Sequence, residues 1–152
     1  MSVTARLAEL GIELPAVVKP VAAYIPAVRT GNLVYTAGQL PMQDGALPVT
    51  GKVGAEVSAE DAKALARICA LNALAAVASV VDIDEVTRVV KVVGLVNVGG
   101  GDFTAHSPVI DGASDLLMKL FGEAGRHARS DVGLPSLPST VSVEVELIVE
   151  VE

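Results

Sequence analysis

The sequence has few of the residues that most often build metal sites and nucleophilic sites. Among 152 residues there are one cysteine and two histidines, and aromatic residues make up only 3%. The single Cys69 excludes an intrachain disulfide and a cysteine-rich metal site, and its place in a predicted apolar helix is typical of a small buried side chain. His106 and His127 do not form the His-Glu-x-x-His pattern of zinc hydrolases, and no Gly-x-Ser-x-Gly elbow is present. The sequence therefore predicts no metal site and no serine-triad chemistry.

Long apolar runs and positive charge are also scarce. No segment reaches the roughly 18 consecutive apolar residues of a membrane-spanning helix, and residues 1–11 lack the apolar centre of a signal peptide. We therefore expect no membrane association, and one cysteine fits a reducing cytoplasm. The formal net charge is -7, so binding to nucleic acid would gain nothing from counterion release. We expect no nucleic-acid partner.

What is abundant is small aliphatic side chains. Hydrophobic residues make up 51% of the chain, and most of them are Val, Ala and Leu. A chain of this length forms one domain, residues 1–152, in which residues 1–20 supply a short helix and an extended connector. The apolar excess has two explanations. The first is a core rich in alanine and valine, and the second, which we favour, is an oligomer that buries a strand face between subunits.

The order of the predicted elements indicates an α+β fold. A helix over 4–10 precedes a hairpin of strands 21–29 and 33–37, and a third short strand is expected over 46–50. Ser58 is a good N-cap for a long helix that ends near Val80 or Val81. A central strand follows within 84–98, then a helix from Asp111 to Phe121 and a strand around Arg129. Both main helices are expected on one face of a mixed sheet, with the other face covered in the oligomer.

The last strand shows the clearest alternation in the chain. From Val141 to Val151 every odd position is apolar, whereas the even positions are polar or acidic apart from Ile148. This pattern is typical of a half-buried strand that places Glu144 and Glu146 on its polar face.

Arg129 precedes that strand and has two interpretations. It can form a salt bridge with Asp131, which lies two residues on and therefore on the same face of a strand. Alternatively, its planar guanidinium can bind the carboxylate of a small ligand through two hydrogen bonds. Residue type alone favours the salt bridge.

Several segments together resemble one family. They are VAAYIPAVRTGNLVYTAGQLP at 21–41, Asp102-Phe103, ARSDV at 128–132, Leu137-Pro138 and VEVE at 143–146. In order and spacing they are similar to the YjgF/RidA family of reactive-intermediate deaminases, also called L-PSP endoribonuclease-like proteins. The resemblance covers nearly the whole chain. It implies a chorismate mutase-like fold, with three subunits packed as a barrel and ligand clefts between neighbours.

The resemblance also implies an activity and a set of site residues. Family members hydrolyse 2-imino or enamine acids to 2-oxo acids and ammonia, without a metal or an organic cofactor. By their match to family motifs, Arg129 would bind the substrate carboxylate and Glu144 would hold or activate water. Tyr24 and Gly38 would line the cleft.

Two departures from the family pattern suggest a divergent subgroup. The family's serine before Gly-Gln is Ala37 here, and a position that is commonly cysteine is Asp131. Asp131 could neutralise Arg129 or position water as a second acid. The alternative hypothesis is therefore a non-catalytic protein that binds or senses small acids on the same trimeric fold. A third, ribonuclease activity, follows only from the family's other name.

Overall fold

A computed structural model describes all 152 residues, and its centre is one mixed sheet of five strands. The strands are β1 (Ala27–Thr30), β2 (Leu33–Thr36), β3 (Val86–Asn97), β4 (Ala128–Leu134) and β5 (Val143–Val151). In the sheet they follow the order β1-β2-β5-β3-β4, and only the pair of β3 and β4 is parallel. The predicted α+β class with a mixed sheet is confirmed.

Three α-helices accompany the sheet: α1 (Val3–Glu9), α2 (Ala59–Ala78) and α3 (His106–Phe121). Short 3-10 turns occupy Ile83–Glu85, Gly122–Gly125 and Pro138–Thr140. The Ser58 hydroxyl accepts a hydrogen bond from the Asp61 amide, so the predicted N-cap of α2 is confirmed. None of the helices is both long enough and apolar enough to cross a bilayer.

The two long helices pack against each other and cover one face of the sheet. A side chain at Gly112 would put its Cβ within 2.9 Å of the Lys63 carbonyl carbon, so this glycine is what lets α3 approach α2 closely. The odd residues of β5 are buried beneath the helices, whereas its even residues are only partly buried. The predicted alternation of β5 is therefore confirmed. We call the opposite side of the sheet the helix-free face.

Two predicted boundaries and one predicted strand are wrong. The strand expected over 21–29 begins only at Ala27, because Pro26 has no amide hydrogen for a ladder. The expected strand at 46–50 is absent, and only a bridge between Gln43 and Ala46 forms there. The helix expected from Asp111 begins instead at His106, since Pro108 is tolerated in a first turn.

Candidate functional site

Glu144 is the second residue of β5 and lies on the helix-free face. Its carboxylate is half-buried, and this burial raises its pKa above the ordinary value, with a smaller contribution from the nearby Glu146. A carboxylate with a raised pKa exchanges protons closer to neutral pH than an exposed one. Glu144 is therefore suited to take a proton from water and to return it.

Gly38 lies directly against this carboxylate. A Cβ on Gly38 would be 2.9 Å from Glu144 Cδ and closer still to Oε1, so no other residue fits while Glu144 holds this position. The next residue, Gln39, fixes the contact through two backbone hydrogen bonds with Val145, of 2.8 and 3.1 Å. The turn after β2 thus places the backbone of Gly38, which has no side chain, beside the carboxylate of Glu144.

Gly38 also forms part of a pocket of about 230 Å³. Tyr24 lies in the wall of the same pocket, with its ring about half exposed. Ser139 also reaches it, and has the left-handed backbone (φ 54°) that serine rarely adopts. The complete lining is Val18, Lys19, Pro20, Val21, Tyr24, Pro26, Gly38, Gln39, Leu40, Met42 and Ser139. We call this space the Gly38 pocket.

Asn72 holds one wall of the Gly38 pocket in place. It is buried in the middle of α2, and its Nδ2 donates to the carbonyl oxygens of Leu40 and Met42, each at 2.9 Å. These bonds tie the loop that follows β2 to the helix. The polar amide inside an apolar helical stripe was the sequence signal for this contact.

Arg129 lies outside the lining of the Gly38 pocket, and its side chain forms hydrogen bonds with other residues of the same chain. Its Nε donates to Asp131 at 2.9 Å, and its Nη1 donates to Asp111 at 2.8 Å and to Ser114 Oγ at 3.0 Å. Its Nη2 donates to the hydroxyl and the carbonyl oxygen of Ser107, at 2.6 and 3.4 Å. All five N–H donors of a guanidinium thus have acceptors. The predicted pairing of Arg129 with Asp131 is confirmed.

The strand register shows that Arg129 and Glu144 point to opposite faces. Arg129 is paired with Val92, which in turn is paired with Leu147 in the core beneath the helices. Glu144 is paired with Leu95 on the helix-free face. Since paired residues share a face, the two side chains project from opposite sides of the sheet. Tyr24 and Gly38 line one pocket, and Glu144 contacts Gly38 from outside that lining, while Arg129 and Asp131 form a separate group.

Sequence reasoning missed the partners that α3 supplies to Arg129. Ser107, Asp111 and Ser114 are spaced by four and three residues, which places them on one side of a helix. That spacing was a usable signal, but the helix was predicted to begin only at Asp111. Ser114 further contacts His127, with 2.8 Å between Oγ and Nε2.

Residues 4–151 match the family model described as "YjgF/chorismate mutase-like, putative endoribonuclease". The chain is 42% identical over 149 residues to Protein TCP17 of Trypanosoma cruzi, covering 97% of this chain and 93% of that protein.

Two solved structures show the same architecture. A protein from Shewanella oneidensis described as a "putative endoribonuclease" superposes with a TM-score of 0.94 at 32% identity, over 99% of this chain and 100% of that one. E. coli TdcF, solved with bound serine, has a TM-score of 0.65 at 22% identity, over 90% and 94% of the two chains, a likeness of fold. With a family model matched over nearly its whole length, this chain belongs to the YjgF/chorismate mutase-like family.

Proposed function

We propose that this protein hydrolyses small 2-imino or enamine acids to 2-oxo acids and ammonia at the Gly38 pocket. The observation that supports this is the Glu144 carboxylate, half-buried, with a raised pKa and pressed against Gly38. An imine carbon is already electrophilic, so its hydrolysis needs only an oriented substrate and a group that moves protons.

One carboxylate is sufficient for those proton transfers. An enamine first becomes its imine tautomer, and Glu144 then takes a proton from the water whose oxygen adds to the C=N carbon. Glu144 returns that proton to the nitrogen, and the product is a carbinolamine. Glu144 then takes the hydroxyl proton of the carbinolamine and passes it to the nitrogen as the C–N bond breaks, so that ammonia leaves and the C=O bond of the 2-oxo acid forms.

The pocket supports the proposal by its size and its lining. A volume of about 230 Å³ suits an acid of only a few heavy atoms. The Tyr24 hydroxyl can hydrogen-bond to the substrate, and Gly38 lets the substrate reach the backbone. The bound serine in E. coli TdcF is likewise a small amino acid.

The roles predicted for Arg129 and Asp131 stay predictions. For Arg129 to bind a substrate carboxylate, the substrate must displace Asp131 or Asp111 from the guanidinium. This internal neutralisation favours the second candidate function, which is binding of a small acid without turnover. Asp131 as a water-positioning acid would require the same rearrangement.

We further propose that the protein acts as a homotrimer. Its helix-free face carries partly exposed apolar side chains, among them Val28 (49% exposed), Tyr35 (42%) and Val132 (45%). Burial of such a face between copies would remove this apolar area from water. A trimer would also place Glu144 of one copy close to the next copy.

A small molecule, and not RNA, is the partner we propose. The helix-free face presents Glu144, Glu146 and Glu150, and the net charge of -7 opposes binding of a polyanion. The buried and unpaired Cys69 fits the cytoplasmic location that we propose with it.

The test is direct. An amino-acid oxidase generates a 2-imino acid in solution, and release of the 2-oxo acid is followed with the purified protein and with Glu144→Gln. We expect acceleration by the wild type and its loss in the variant. Calorimetry with pyruvate separates the two candidates, because binding without acceleration supports the second. A protein that neither accelerates release of the 2-oxo acid nor binds pyruvate would contradict the proposed function.

A further inference from the structure

We propose that Ser114 and His127 are positioning residues for Arg129, which they hold in the orientation that binds the carboxylate of the substrate. The family resemblance implies the binding role of Arg129, and the structure supplies the residues that hold it. The inference rests on the proposed function and the proposed trimer, because Arg129 and Glu144 lie on opposite faces of the sheet and can serve one substrate only from two copies.

A chain of hydrogen bonds links Arg129 to a backbone carbonyl, and its two ends fix its direction. Arg129 Nη1 lies 3.0 Å from Ser114 Oγ, which lies 2.8 Å from His127 Nε2, and His127 Nδ1 lies 2.6 Å from the carbonyl oxygen of Gly125. A guanidinium only donates, and a carbonyl oxygen only accepts. In the neutral imidazole Nδ1 therefore carries the proton, Nε2 accepts from the Ser114 hydroxyl, and Ser114 presents a lone pair to Arg129. We call these four groups the Arg129 network.

The far end of the Arg129 network is held by packing. Gly125 is buried, and a Cβ on it would lie 2.5 Å from the carbonyl oxygen of Leu117, so its backbone lies directly against α3. Ser114 belongs to the same helix. His127 comes two residues before Arg129, so their side chains point to the same side of the extended chain. The imidazole ring thus connects two fixed points of α3 beside the guanidinium.

Arg129 has two kinds of acceptor, and only one kind competes with a substrate. Asp111 and Asp131 are carboxylates with side chains 44% and 22% exposed, and an incoming carboxylate can take the place of either in a charge-assisted hydrogen bond. Ser107 and Ser114 are neutral, and their hydroxyls bind separate nitrogens, Nη2 and Nη1. They can stay in place during the exchange and fix the plane of the guanidinium, which binding of a carboxylate through two hydrogen bonds requires.

The two ring nitrogens of His127 contribute unequally to this arrangement. A serine hydroxyl rotates freely, so Ser114 keeps a lone pair toward Arg129 only while its proton has an acceptor elsewhere. His127 Nε2 is that acceptor, whereas Nδ1 only orients the ring. Loss of Nε2 should therefore release the guanidinium, and loss of Nδ1 alone should matter much less.

The experiment separates the two nitrogens with His127→Asn and His127→Gln in the full chain. The asparagine amide lies near the position of Nδ1 and can still donate to Gly125, whereas the glutamine amide oxygen reaches the position of Nε2 and can accept from Ser114. We expect His127→Asn and Ser114→Ala each to raise KM for the imino acid about tenfold, as for loss of a hydrogen bond to a charged group. The change in kcat should be much smaller, because the carboxylate is bound in the ground state and the transition state alike. His127→Gln should stay near the wild type.

Inhibition by pyruvate and by its uncharged amide shows whether the carboxylate is what the variants fail to bind. Ser114→Ala and His127→Asn should weaken inhibition by pyruvate about tenfold and leave inhibition by the amide unchanged. Ser79→Ala is the control, because Ser79 donates its hydroxyl hydrogen to Ala76 at the end of α2, at 2.6 Å. Equal KM values in His127→Asn and His127→Gln, or an unchanged KM in Ser114→Ala, would overturn the inference.

Nitrogen NMR of the imidazole rings supplies a readout that does not depend on activity. The chain has two histidines, and His127→Gln removes the signals of one ring, which assigns them. In weakly alkaline buffer we expect His127 to carry its proton on Nδ1, and a proton on Nε2 would overturn the inference. Failure of the proposed function looks different, because the wild type would then hydrolyse no imine. The ring signals, and calorimetry of the same variants with pyruvate, would then decide for or against the Arg129 network.

Discussion

Arg129 and Glu144 project from opposite faces of one sheet, although the family resemblance assigns both to one site. The register sets this arrangement, because Arg129 is in line with Val92 and Glu144 with Leu95. Two side chains on opposite faces of a sheet cannot bind one small ligand within a single chain. If both contact a substrate, they must come from different subunits. Glu144 and Gly38, by contrast, are in contact within one chain.

The first prediction concerns the acid–base group. Replacement of Glu144 by Gln keeps the shape of the side chain but removes its proton-accepting charge. We expect kcat for imine hydrolysis to fall roughly 100- to 10,000-fold, the usual contribution of a general acid–base group. Glu150→Gln, on the same face of β5, is the matched control and should keep near wild-type activity. Equal losses in both variants would contradict the role of Glu144.

The second prediction concerns the pH dependence of the rate. Because Glu144 must be ionised to accept a proton, kcat/KM should rise with pH through its raised pKa. Glu146 contributes to that shift, though less than burial does. Glu146→Gln should therefore move the acidic limb of the pH–rate profile to lower pH without abolishing it. A limb that stays in place would mean that another group controls the rate.

The third prediction concerns stability. The folded pKa of Glu144 lies above the unfolded value, so between the two the folded state binds more protons and stability falls as pH rises. Because glutamine carries no ionisable group, Glu144→Gln removes this loss of stability at higher pH. Urea denaturation should show the variant gaining stability over the wild type from below pH 4.5 toward neutral pH. A variant less stable than the wild type at neutral pH would contradict the burial of this charge.

The fourth prediction tests the contact at Gly38. Its backbone is not in the left-handed region, so alanine changes only the space beside Glu144. Gly38→Ala should displace the Glu144 side chain and lower kcat about tenfold or more, because misplaced catalytic groups are costly. Gly101→Ala is the control, since its Cβ would meet nothing within 4 Å. Steady-state kinetics with a thermal melt of each variant separates activity from folding.

Much of the fold was predictable because it depends on local patterns. Ser58 before α2 and the alternation from Val143 to Val151 each specify an element without long-range information. The Arg129–Asp131 pair was predictable for the same reason, since residues two apart share a strand face. The contacts between α3 and Arg129 depend on tertiary packing, and the placement of Arg129 and Glu144 on opposite faces of the sheet depends on the strand register. Neither is encoded in a short window of sequence.

The fifth prediction concerns the Arg129 group. Arg129→Met leaves Asp111 and Asp131 partly buried without their cation, so we expect the free energy of unfolding to fall by roughly 1–3 kcal/mol. This loss is smaller than for a fully buried ion pair, because solvent screens the partly exposed carboxylates. Arg126→Met is the control, because Arg126 is 72% exposed. Adding Asp131→Ala to Arg129→Met should recover part of the lost stability. Denaturant melts of the wild type, both single variants and the double variant form a double-mutant cycle that measures the coupling between Arg129 and Asp131. A fully additive cycle would contradict the coupling.

The last prediction tests the proposed trimer through Tyr35 on the helix-free face. Tyr35 is 42% exposed in the single chain and lies in register with Ile148, so glutamate there should leave the monomer folded. In a trimer the same charge would be buried without a partner, which is costly. We expect light scattering to show three copies of the 15.5 kDa chain for the wild type and one for Tyr35→Glu. Val80→Glu, at a residue 41% exposed that follows α2, is the matched control and should remain trimeric. A trimeric Tyr35→Glu variant would show that this face is not the interface, and a monomeric wild type would contradict the assembly itself.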